Sequence, residues 1–370
     1  MSVLFSPQTL RGLTVPNRIV VAPMCQYSAE EGMATSWHSV HLGTLALSGA
    51  GMVTIEATAV TPDGRITPRD LGLWDDATEA ALARRLGAVR DISKTAIVMQ
   101  ISHAGRKASS HVPWEGGQLI PPGEGGWTTF APSALPQKEG EAAPAALDEA
   151  GLARIRDAFA ATARRAARLG IDGIEVHAAH GYLLHQFLSP IANQRQDAYG
   201  GSLENRMRFP LEVFEAVRAA VPADRPVGIR ISASDWLPEG WDVEQSIRFV
   251  AALKQRGVDW VSVSSGGISP LQKIKLGPNY QVPFAQAVKA ATNVTTMAAG
   301  LITEARQAEE IIAAGQADFV AIARGMLFDP RWGWHAAATL GASVAAPPQY
   351  WRAAPHEHKE LFSNAVFGTR

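Results

Sequence analysis

Hydrophobic positions along the chain fall into two kinds of segment. Short runs of β-branched and other apolar residues alternate with longer stretches rich in Ala, Leu and Arg. Continuous apolar runs predict strands of a parallel sheet that is covered on both faces, and the longer stretches predict helices. The eight predicted strands are residues 18–24, 51–57, 95–102, 172–178, 226–232, 259–265, 294–300 and 318–324.

Glycines mark the ends of three predicted helices. Gly170, Gly257 and Gly315 each follow a helical segment and precede a strand, which is the position of a helix C-cap. Thr303 is the predicted N-cap of the segment that ends at Gly315. Eight strands, each followed by a helix, predict an α/β fold, a (β/α)8 TIM barrel in a single domain over residues 1–370.

Two segments exceed what a barrel needs. Residues 104–146, after the third strand, are rich in Gly, Pro and Ser with interspersed aromatic residues. A loop of this length inside a compact domain is normally functional, so we expect a lid there with the form of a β-hairpin. Residues 345–370 are broken by prolines, and we expect them to form a C-terminal arm.

Charge and cysteine content argue against several classes of protein. The 34 Lys+Arg and 35 Asp+Glu residues give a net charge of −1, so nothing favours nucleic acid or an acidic membrane surface as a partner. No run approaches about 18 apolar residues and the first residues lack a signal-peptide pattern, so we expect no membrane span and a cytoplasmic protein. Cys25 is the only cysteine, which excludes an internal disulfide and a Cys-ligated iron–sulfur cluster.

In barrels of this kind the active site lies at the carboxyl ends of the strands. Gly300 and Gly325 stand at the last two strand ends, before helices, and Arg324 adds a cation, which predicts a phosphate site. Ordinary tight turns with a surface arginine are the alternative. Gln100 and Arg230 stand at the third and fifth strand ends and suit a ring with amide-like edges. A buried Arg is costly unless it is paired, so Arg230 favours a functional role, whereas Gln100 could be a buried amide that bonds backbone.

His177 and His180 follow the fourth strand, and Tyr182 comes two residues later. As metal ligands they would need a third partner, such as Glu56 or His103, but no H-E-x-x-H motif or carboxylate cluster is present, and we expect no metal. As core histidines they would point away from the barrel mouth. As a pair of N–H donors they would hold one carbonyl oxygen and stabilise negative charge that develops on it.

Three longer motifs carry a resemblance to a known family. "NQRQDAYGGSLENRMRF" (residues 193–209), "ISHAGRKAS" and "HAAHGYLLHQFLSP" are similar to signatures of the old yellow enzyme family of FMN-dependent ene-reductases, and the similarity runs almost end to end. The resemblance implies FMN bound non-covalently over the barrel mouth. By position, the implied FMN-binding residues are Ala22, Pro23, Met24, Cys25, Ala57, Gln100, Arg230, Gly300, Ala323 and Arg324. Cys25 is implied to tune the flavin potential, and a small buried hydrophobic residue is the alternative.

The resemblance also implies a reaction. NADPH or NADH would reduce FMN, and an activated alkene would then take the place of the nicotinamide: an α,β-unsaturated ketone or aldehyde, a maleimide or a nitro compound. His177 and His180 would hold its oxygen while hydride reaches the β-carbon, and Tyr182 would protonate the α-carbon. Tyr27 is implied to contact the substrate, and a packing role is the alternative for Tyr182. The choice between NADPH and NADH stays open.

The motif "PPQYWRAA" near the C-terminus bears on partners. It resembles a segment that, in a related branch of the family, lends an arginine and a tyrosine to the site of the neighbouring subunit. We therefore expect Arg352 to contact substrate across the interface of a homodimer or larger oligomer, with an exposed tail as the alternative. The competing functions are another FMN barrel oxidoreductase with a different oxidising substrate and a non-redox barrel enzyme, although no strand ends in the lysine of a Schiff-base enzyme.

Overall fold

The structure, a computed structural model, describes residues 2–366, so residues 367–370 of the predicted arm lie outside the described part. Its centre is a closed barrel of parallel strands, which confirms the (β/α)8 prediction. The barrel strands are β1 (Ile19–Val21), β2 (Met52–Ala59), β3 (Ala96–Ser102), β4 (Gly173–Ala178), β5 (Val227–Ser232), β6 (Trp260–Ser264), β7 (Thr296–Ala298) and β8 (Phe319–Ile322). Strands adjacent in the barrel are adjacent in the sequence, and β8 closes the barrel by pairing with β1.

Helices follow the strands and cover the barrel. They are α1 (Ser36–Ala46), α2 (Asp76–Ile92), α3 (Glu149–Arg168), α4 (Leu183–Leu188), α5 (Leu203–Ala220), α6 (Val243–Gln255), α7 (Val282–Thr292), α8 (Ala305–Ala313), α9 (Arg324–Phe328) and α10 (Trp332–Leu340). Gly170, Gly257 and Gly315 follow α3, α6 and α8 in the left-handed conformation, as predicted. Thr303 was the wrong N-cap for α8. The helix is preceded by Glu304, because Oε1 of Gln307 accepts from the amides of Thr303 (2.9 Å) and Glu304 (3.2 Å).

The apolar core lies between the strands and these helices. Helix α3 illustrates how the sequence produces it. Ile155, Phe159 and Ala163 recur every four residues and are fully buried, so they form one face against the barrel. Asp148 starts the helix, because its Oδ1 accepts from the amide of Gly151 (2.8 Å).

An antiparallel hairpin of Gln8–Leu10 and Leu13–Val15 precedes the barrel. Leu10 and Val15 are buried in a cluster with Trp260 and Phe319, which begin β6 and β8, so the hairpin closes the barrel at its amino-terminal end. Arg11 at the turn donates through Nε to Asp259 (2.9 Å). The sequence analysis missed this hairpin because strands of three residues are too short to show a periodic pattern.

The lid after β3 is present, and one part of it pairs as in a hairpin. Ser110 and Leu119 form an isolated antiparallel bridge, flanked by hydrogen bonds from the amide of Ile120 to the carbonyl of Ser109 (2.6 Å) and from the amide of His111 to the carbonyl of Gln118 (2.8 Å). The two short strands of the lid, Phe130–Ala131 and Ala145–Ala146, pair in parallel. The lid also contains 3-10 turns at Pro113–Glu115 and Pro122–Glu124. Proline at the start of each of these turns has no N–H group for a strand ladder, which explains why the antiparallel pairing does not extend into a regular hairpin. The indole of Trp127 attaches the lid to the barrel by donating to the carbonyl of Asp63 (3.0 Å).

The C-terminal arm packs on its own chain. Trp334 of α10 forms a cluster with Leu361 and Phe362 of the arm, and the ring of Tyr350 lies 5.7 Å from that of Trp334. Val344 and Phe362 form an isolated parallel bridge. Within residues 2–366, none of the helices has the length and apolar character needed to cross a membrane.

Candidate active site

The ends of β1 and β2 form one side of the barrel mouth. The chain leads from β1 into the mouth through Ala22, Pro23, Met24 and Cys25. The pairing register of β2 shifts around Glu56 and Ala57, so these two residues lie in a β-bulge. Oε2 of Glu56 accepts from the amide of Gln26 (2.8 Å), which fixes the loop after Cys25 against β2. Ala57 is buried in the bulge.

Glu56 and His103, the two residues weighed as a third metal ligand, have other partners. Oε1 of Glu56 faces Nε2 of His38 at 3.4 Å. The Nδ1 atom of His103 accepts from the amide of Gly105 (3.0 Å), and burial lowers the pKa of His103 to about 4. Among residues 2–366, no group of three or more His, Cys, Asp or Glu side chains could hold a metal ion.

A buried carboxylate on β4, that of Glu175, connects the predicted ring contacts Gln100 on β3 and Arg230 on β5 with Trp260 on β6. Glu175 accepts through Oε1 from Nε2 of Gln100 (2.8 Å) and through Oε2 from the indole of Trp260 (3.2 Å). Burial raises the pKa of Glu175, and the positive charge of Arg230 opposes this shift. Glu175 is therefore the negative charge that offsets the cost of burying Arg230, and the sequence analysis did not identify it.

His177 and His180 are brought together with their rings nearly perpendicular and 5.1 Å apart. The amide of Ala179 donates to Nδ1 of His177 (3.2 Å), so the proton of this neutral imidazole is on Nε2, which lies 3.3 Å from Nδ1 of His180. Nε2 of His180 lies 2.8 Å from Oγ of Ser264. The two rings thus form a chain across the mouth, from β4 to the end of β6.

Both imidazoles are held in the neutral form. Burial lowers the pKa of His177 and of His180 well below the ordinary value, and the positive charges of Arg230 and Lys107 add to the shift. A neutral imidazole has one N–H donor and one acceptor nitrogen. Each ring can therefore offer one N–H group to an oxygen at neutral pH without carrying charge of its own.

Tyr182 lies beside this pair. Its ring meets that of His177 edge-on at 4.9 Å, and burial raises the pKa of the phenol well above its ordinary value. Tyr27 has a left-handed backbone (φ 49°) and its ring lies 5.7 Å from Trp114 of the lid. Burial also raises the pKa of the Cys25 thiol, which stays uncharged. The mouth thus holds two protonated phenols and a neutral thiol near one another.

The predicted phosphate residues lie at the ends of β7 and β8. Gly300 has a φ of 117°, and a Cβ atom there would come within 3.2 Å of the Gln281 side chain, so the position requires glycine. Ala323 precedes α9, and its carbonyl accepts from the amides of Met326 (2.9 Å) and Leu327 (3.2 Å), so the amides left over at the start of this helix are those of Arg324 and Gly325. The two glycines do not stand directly before helices as expected, because α8 begins only at Ala305, five residues after Gly300, and Gly325 lies within α9.

A cleft of about 340 Å³ opens beside the mouth, between the lid and the loop after β6. Its lining includes Tyr27, Arg106, Lys107, Lys138 and Gly267. Arg106 is engaged with the protein itself, since it donates to the carbonyl of Ile268 (2.8 Å) and to the lid.

Arg352 is not brought to this mouth. It is exposed in the 3-10 turn Pro348–Ala353 of the arm. The arm lines a cavity of about 560 Å³ together with Asn17, Gly51 and Ala96, which precede or begin β1, β2 and β3. The arm therefore lies at the amino-terminal end of the barrel, opposite the predicted active site of the same chain.

Comparison with known proteins agrees with this arrangement. The profile of the NADH:flavin oxidoreductase / NADH oxidase family matches residues 3–341. An NADPH dehydrogenase of Geobacillus thermodenitrificans is 45% identical over 353 residues, which cover 95% of this chain and 98% of that protein. An NADH:flavin oxidoreductase of Gibberella zeae is 46% identical over 330 residues, covering 84% of this chain and 80% of the relative.

Solved structures give the same result. Morphinone reductase superposes with a TM-score of 0.74 at 28% identity, covering 94% of this chain and 91% of its own. The structure of morphinone reductase in complex with tetrahydroNAD superposes with a TM-score of 0.75 at 28% identity, covering 93% of this chain and 92% of that chain. The old yellow enzyme homologue of Zymomonas mobilis shares the fold, with a TM-score of 0.75 at 23% identity and coverage of 93% and 94%. The chain therefore belongs to the NADH:flavin oxidoreductase / NADH oxidase family, which is the old yellow enzyme family, and is an NAD(P)H-dependent flavin oxidoreductase.

Proposed function

We propose that the chain reduces activated alkenes, namely α,β-unsaturated ketones and aldehydes, maleimides and nitro compounds, with NADPH or NADH as the reductant. The observation that carries the proposal is the neutral His177–His180 pair with the protonated Tyr182 beside it. Reduction of such an alkene needs N–H donors for an oxygen that becomes negative and an acid for the α-carbon. The name of morphinone reductase, a structural relative, agrees with reduction of an organic substrate.

The residues at the mouth fit FMN, the cofactor of the family. Nε of Arg230 is buried without a hydrogen-bond partner among residues 2–366, so it is available to a polar ring edge. Gln100 keeps its carbonyl oxygen as an acceptor, because its Nε2 donates to Glu175. Gly300 and Arg324 would hold the phosphate. The chemistry that FMN supplies when bound is hydride transfer, from the nicotinamide and onward to the β-carbon of the alkene.

The histidines would bind the substrate oxygen. An oxygen between the rings would replace Nδ1 of His180 as the acceptor of the His177 Nε2–H group, which the geometry already directs across the mouth. His180 would contribute the second N–H group by turning from Ser264 or by changing its tautomer. Neutral donors suit this task because a permanent positive charge would also favour unreactive anions.

Tyr182 would donate the proton to the α-carbon. Its raised pKa keeps the phenol protonated across the physiological range, so the proton is always available. The phenol is a weak acid, but the α-carbon that receives the proton is strongly basic.

The test replaces Tyr182 with Phe and measures the two half-reactions separately by stopped-flow spectroscopy. We expect reoxidation by cyclohexenone to slow about 100-fold, while reduction by NADPH changes by less than about twofold. Tyr199→Phe is the matched control, because its hydroxyl group faces Glu212 on α5, outside the site. Equal slowing of both half-reactions would argue against Tyr182 as the donor.

We also propose that the working form is a homodimer or larger oligomer, in which Arg352 contacts the substrate of the neighbouring subunit. The position of the arm supports this, because Arg352 lies at the end of the barrel opposite its own mouth. A cytoplasmic location is part of the same proposal. The balanced charge of −1 and the single cysteine support it.

A further inference from the structure

The turn after β4 has an unusual backbone. His180 and Gly181 are both left-handed, with φ of 57° and 76°, and a non-glycine residue in this conformation is strained by about 1 kcal/mol. Side chains satisfy every polar backbone group of the two residues. The contacts are the His180 amide to Ser232 Oγ (2.9 Å), Lys107 Nζ to the His180 carbonyl (2.9 Å), the Gly181 amide to His185 Nδ1 (2.9 Å) and Gln186 Nε2 to the Gly181 carbonyl (2.7 Å).

A second backbone segment lies directly against this turn. A Cβ atom at Gly181 would be 2.0 Å from the carbonyl oxygen of Gly267, and a Cβ atom at Gly267 would be 2.3 Å from the backbone of His180. The segments therefore touch without side chains between them. The carbonyl oxygens of His180 and Gly267 both point to Nζ of Lys107, at 2.9 and 3.2 Å.

Lys107 connects these parts to the lid. It ends the 3-10 turn Gly105–Lys107, and its ammonium group also lies 5.3 Å from the centre of the Tyr182 ring, where a cation is attracted to the aromatic face. One half-buried ammonium group thus contacts the backbone of His180, the loop after β6 and the ring of Tyr182, the proposed proton donor.

We propose that Lys107 is a positioning residue, whose ammonium group holds the left-handed turn that directs the His180 imidazole and the Tyr182 phenol toward the substrate. Without it, two converging carbonyl groups would lose a charged donor and repel each other, and the strained turn would relax. The inference rests on the proposed function and adds a residue to it. Lys107 acts through the turn and through Tyr182.

The ammonium form has a limited pH range. Burial lowers the pKa of Lys107 to about 8, and the charges of Arg106 and Lys138 on the lid add to the shift. The positive charge is therefore present below about pH 8 and is lost as the pH rises through that value. The other groups that face it titrate elsewhere, since the pKa values of His177 and His180 are lowered and that of Tyr182 is raised.

The test measures binding of cyclohexenone to the oxidised holoenzyme without a reductant, from the change in the visible spectrum. In Lys107→Met we expect a dissociation constant about tenfold higher than in the wild type, with unchanged FMN content. Lys107→Arg, which keeps a donor, should recover most of the affinity. Lys138→Met, measured at about pH 7, is the matched control. It removes a positive charge from the exposed edge of the same cleft, which raises the pKa of Lys107 and keeps Lys107 charged, so the affinity should change little.

The pH profile of the wild type is a second measurement, and its result stands even if a variant does not fold. Its affinity for cyclohexenone should decrease between about pH 7 and about pH 9, whereas that of Lys107→Met should be flat. Unchanged affinity in Lys107→Met, or a flat profile in the wild type, would overturn the positioning role. If the wild type binds no cyclohexenone at any pH, the proposed function fails instead.

Discussion

Replacing Asp235 with Asn would test how strongly a buried pair holds the elements behind the barrel mouth. Asp235, in the loop after β5, and His185, on α4, are both fully buried, and Oδ1 of Asp235 lies 2.8 Å from Nε2 of His185. Oδ2 of Asp235 accepts from Ser189 Oγ (2.6 Å) and from the amide of Trp241 (2.7 Å). His185 Nδ1 accepts from the amide of Gly181, so Nε2 is the nitrogen that bears a proton.

Every partner of the Asp235 carboxylate is therefore a donor, and this sets the size of the effect. An asparagine must direct its NH₂ group at one of them, so one buried donor faces another donor and the charge is lost. We expect the free energy of unfolding to decrease by about 3 kcal/mol. Unfolding entropy near the melting point is about 2.1 cal/mol/K per residue, so for a chain of 370 residues the melting temperature should decrease by about 4 °C.

The assay is thermal melting of the holoenzyme followed by circular dichroism, with Asp224→Asn, an exposed aspartate, as the control. The acid dependence gives a second readout. Burial opposes ionisation of Asp235, but His185 and the hydrogen bonds outweigh it and the pKa is lowered. Its contribution is thus present above the ordinary aspartate pKa and is lost as the pH falls through the lower folded value. A melting temperature equal to that of the control, with the same acid dependence, would refute the reasoning.

Three further changes test other parts of the structure. Glu175→Gln leaves the buried charge of Arg230 without its counter-charge, so the midpoint of urea unfolding should decrease by the equivalent of about 3 kcal/mol; an unchanged midpoint would contradict the pairing. Leu10→Ala should lower the free energy of unfolding by about 3 kcal/mol and leave turnover unchanged. A variant that keeps its stability but loses turnover would contradict a purely structural role of the amino-terminal hairpin. A chain that ends before Pro347 should form smaller oligomers in light scattering and bind cyclohexenone more weakly, whereas retention of both would refute a role of Arg352 in the neighbouring subunit.

The barrel could be predicted because its strands are buried on both faces. A strand such as β4 then appears as a continuous apolar run, and the glycine after each of three helices marks the boundary in front of a strand. Such local signals located all eight strands to within three residues at each end. The candidate site followed from the same information, because residues at strand ends must meet at the mouth of a barrel.

The contacts within the site could not be predicted in this way. Glu175 is 75 residues from Gln100 and 85 from Trp260, and no periodic pattern connects residues at such separations. The same holds for Lys107, which meets the carbonyl of His180 across 73 residues. The predicted hairpin of the lid is limited to one antiparallel bridge, between Ser110 and Leu119, because the prolines nearby have no N–H group for a longer strand ladder.

The hairpin that closes the amino-terminal end of the barrel also bears on the kinetics. Because Leu10 and Val15 pack against Trp260 and Phe319 at that end, we expect small molecules to reach the proposed site from the lid side. The reduced nicotinamide and the alkene must then enter the proposed site in turn through the same entrance, and each must leave before the other binds. We therefore expect substrate inhibition by either reactant. An excess of the nicotinamide or of the alkene would occupy the site during the half-reaction that uses the other, so the rate should be highest at a balanced ratio of the two.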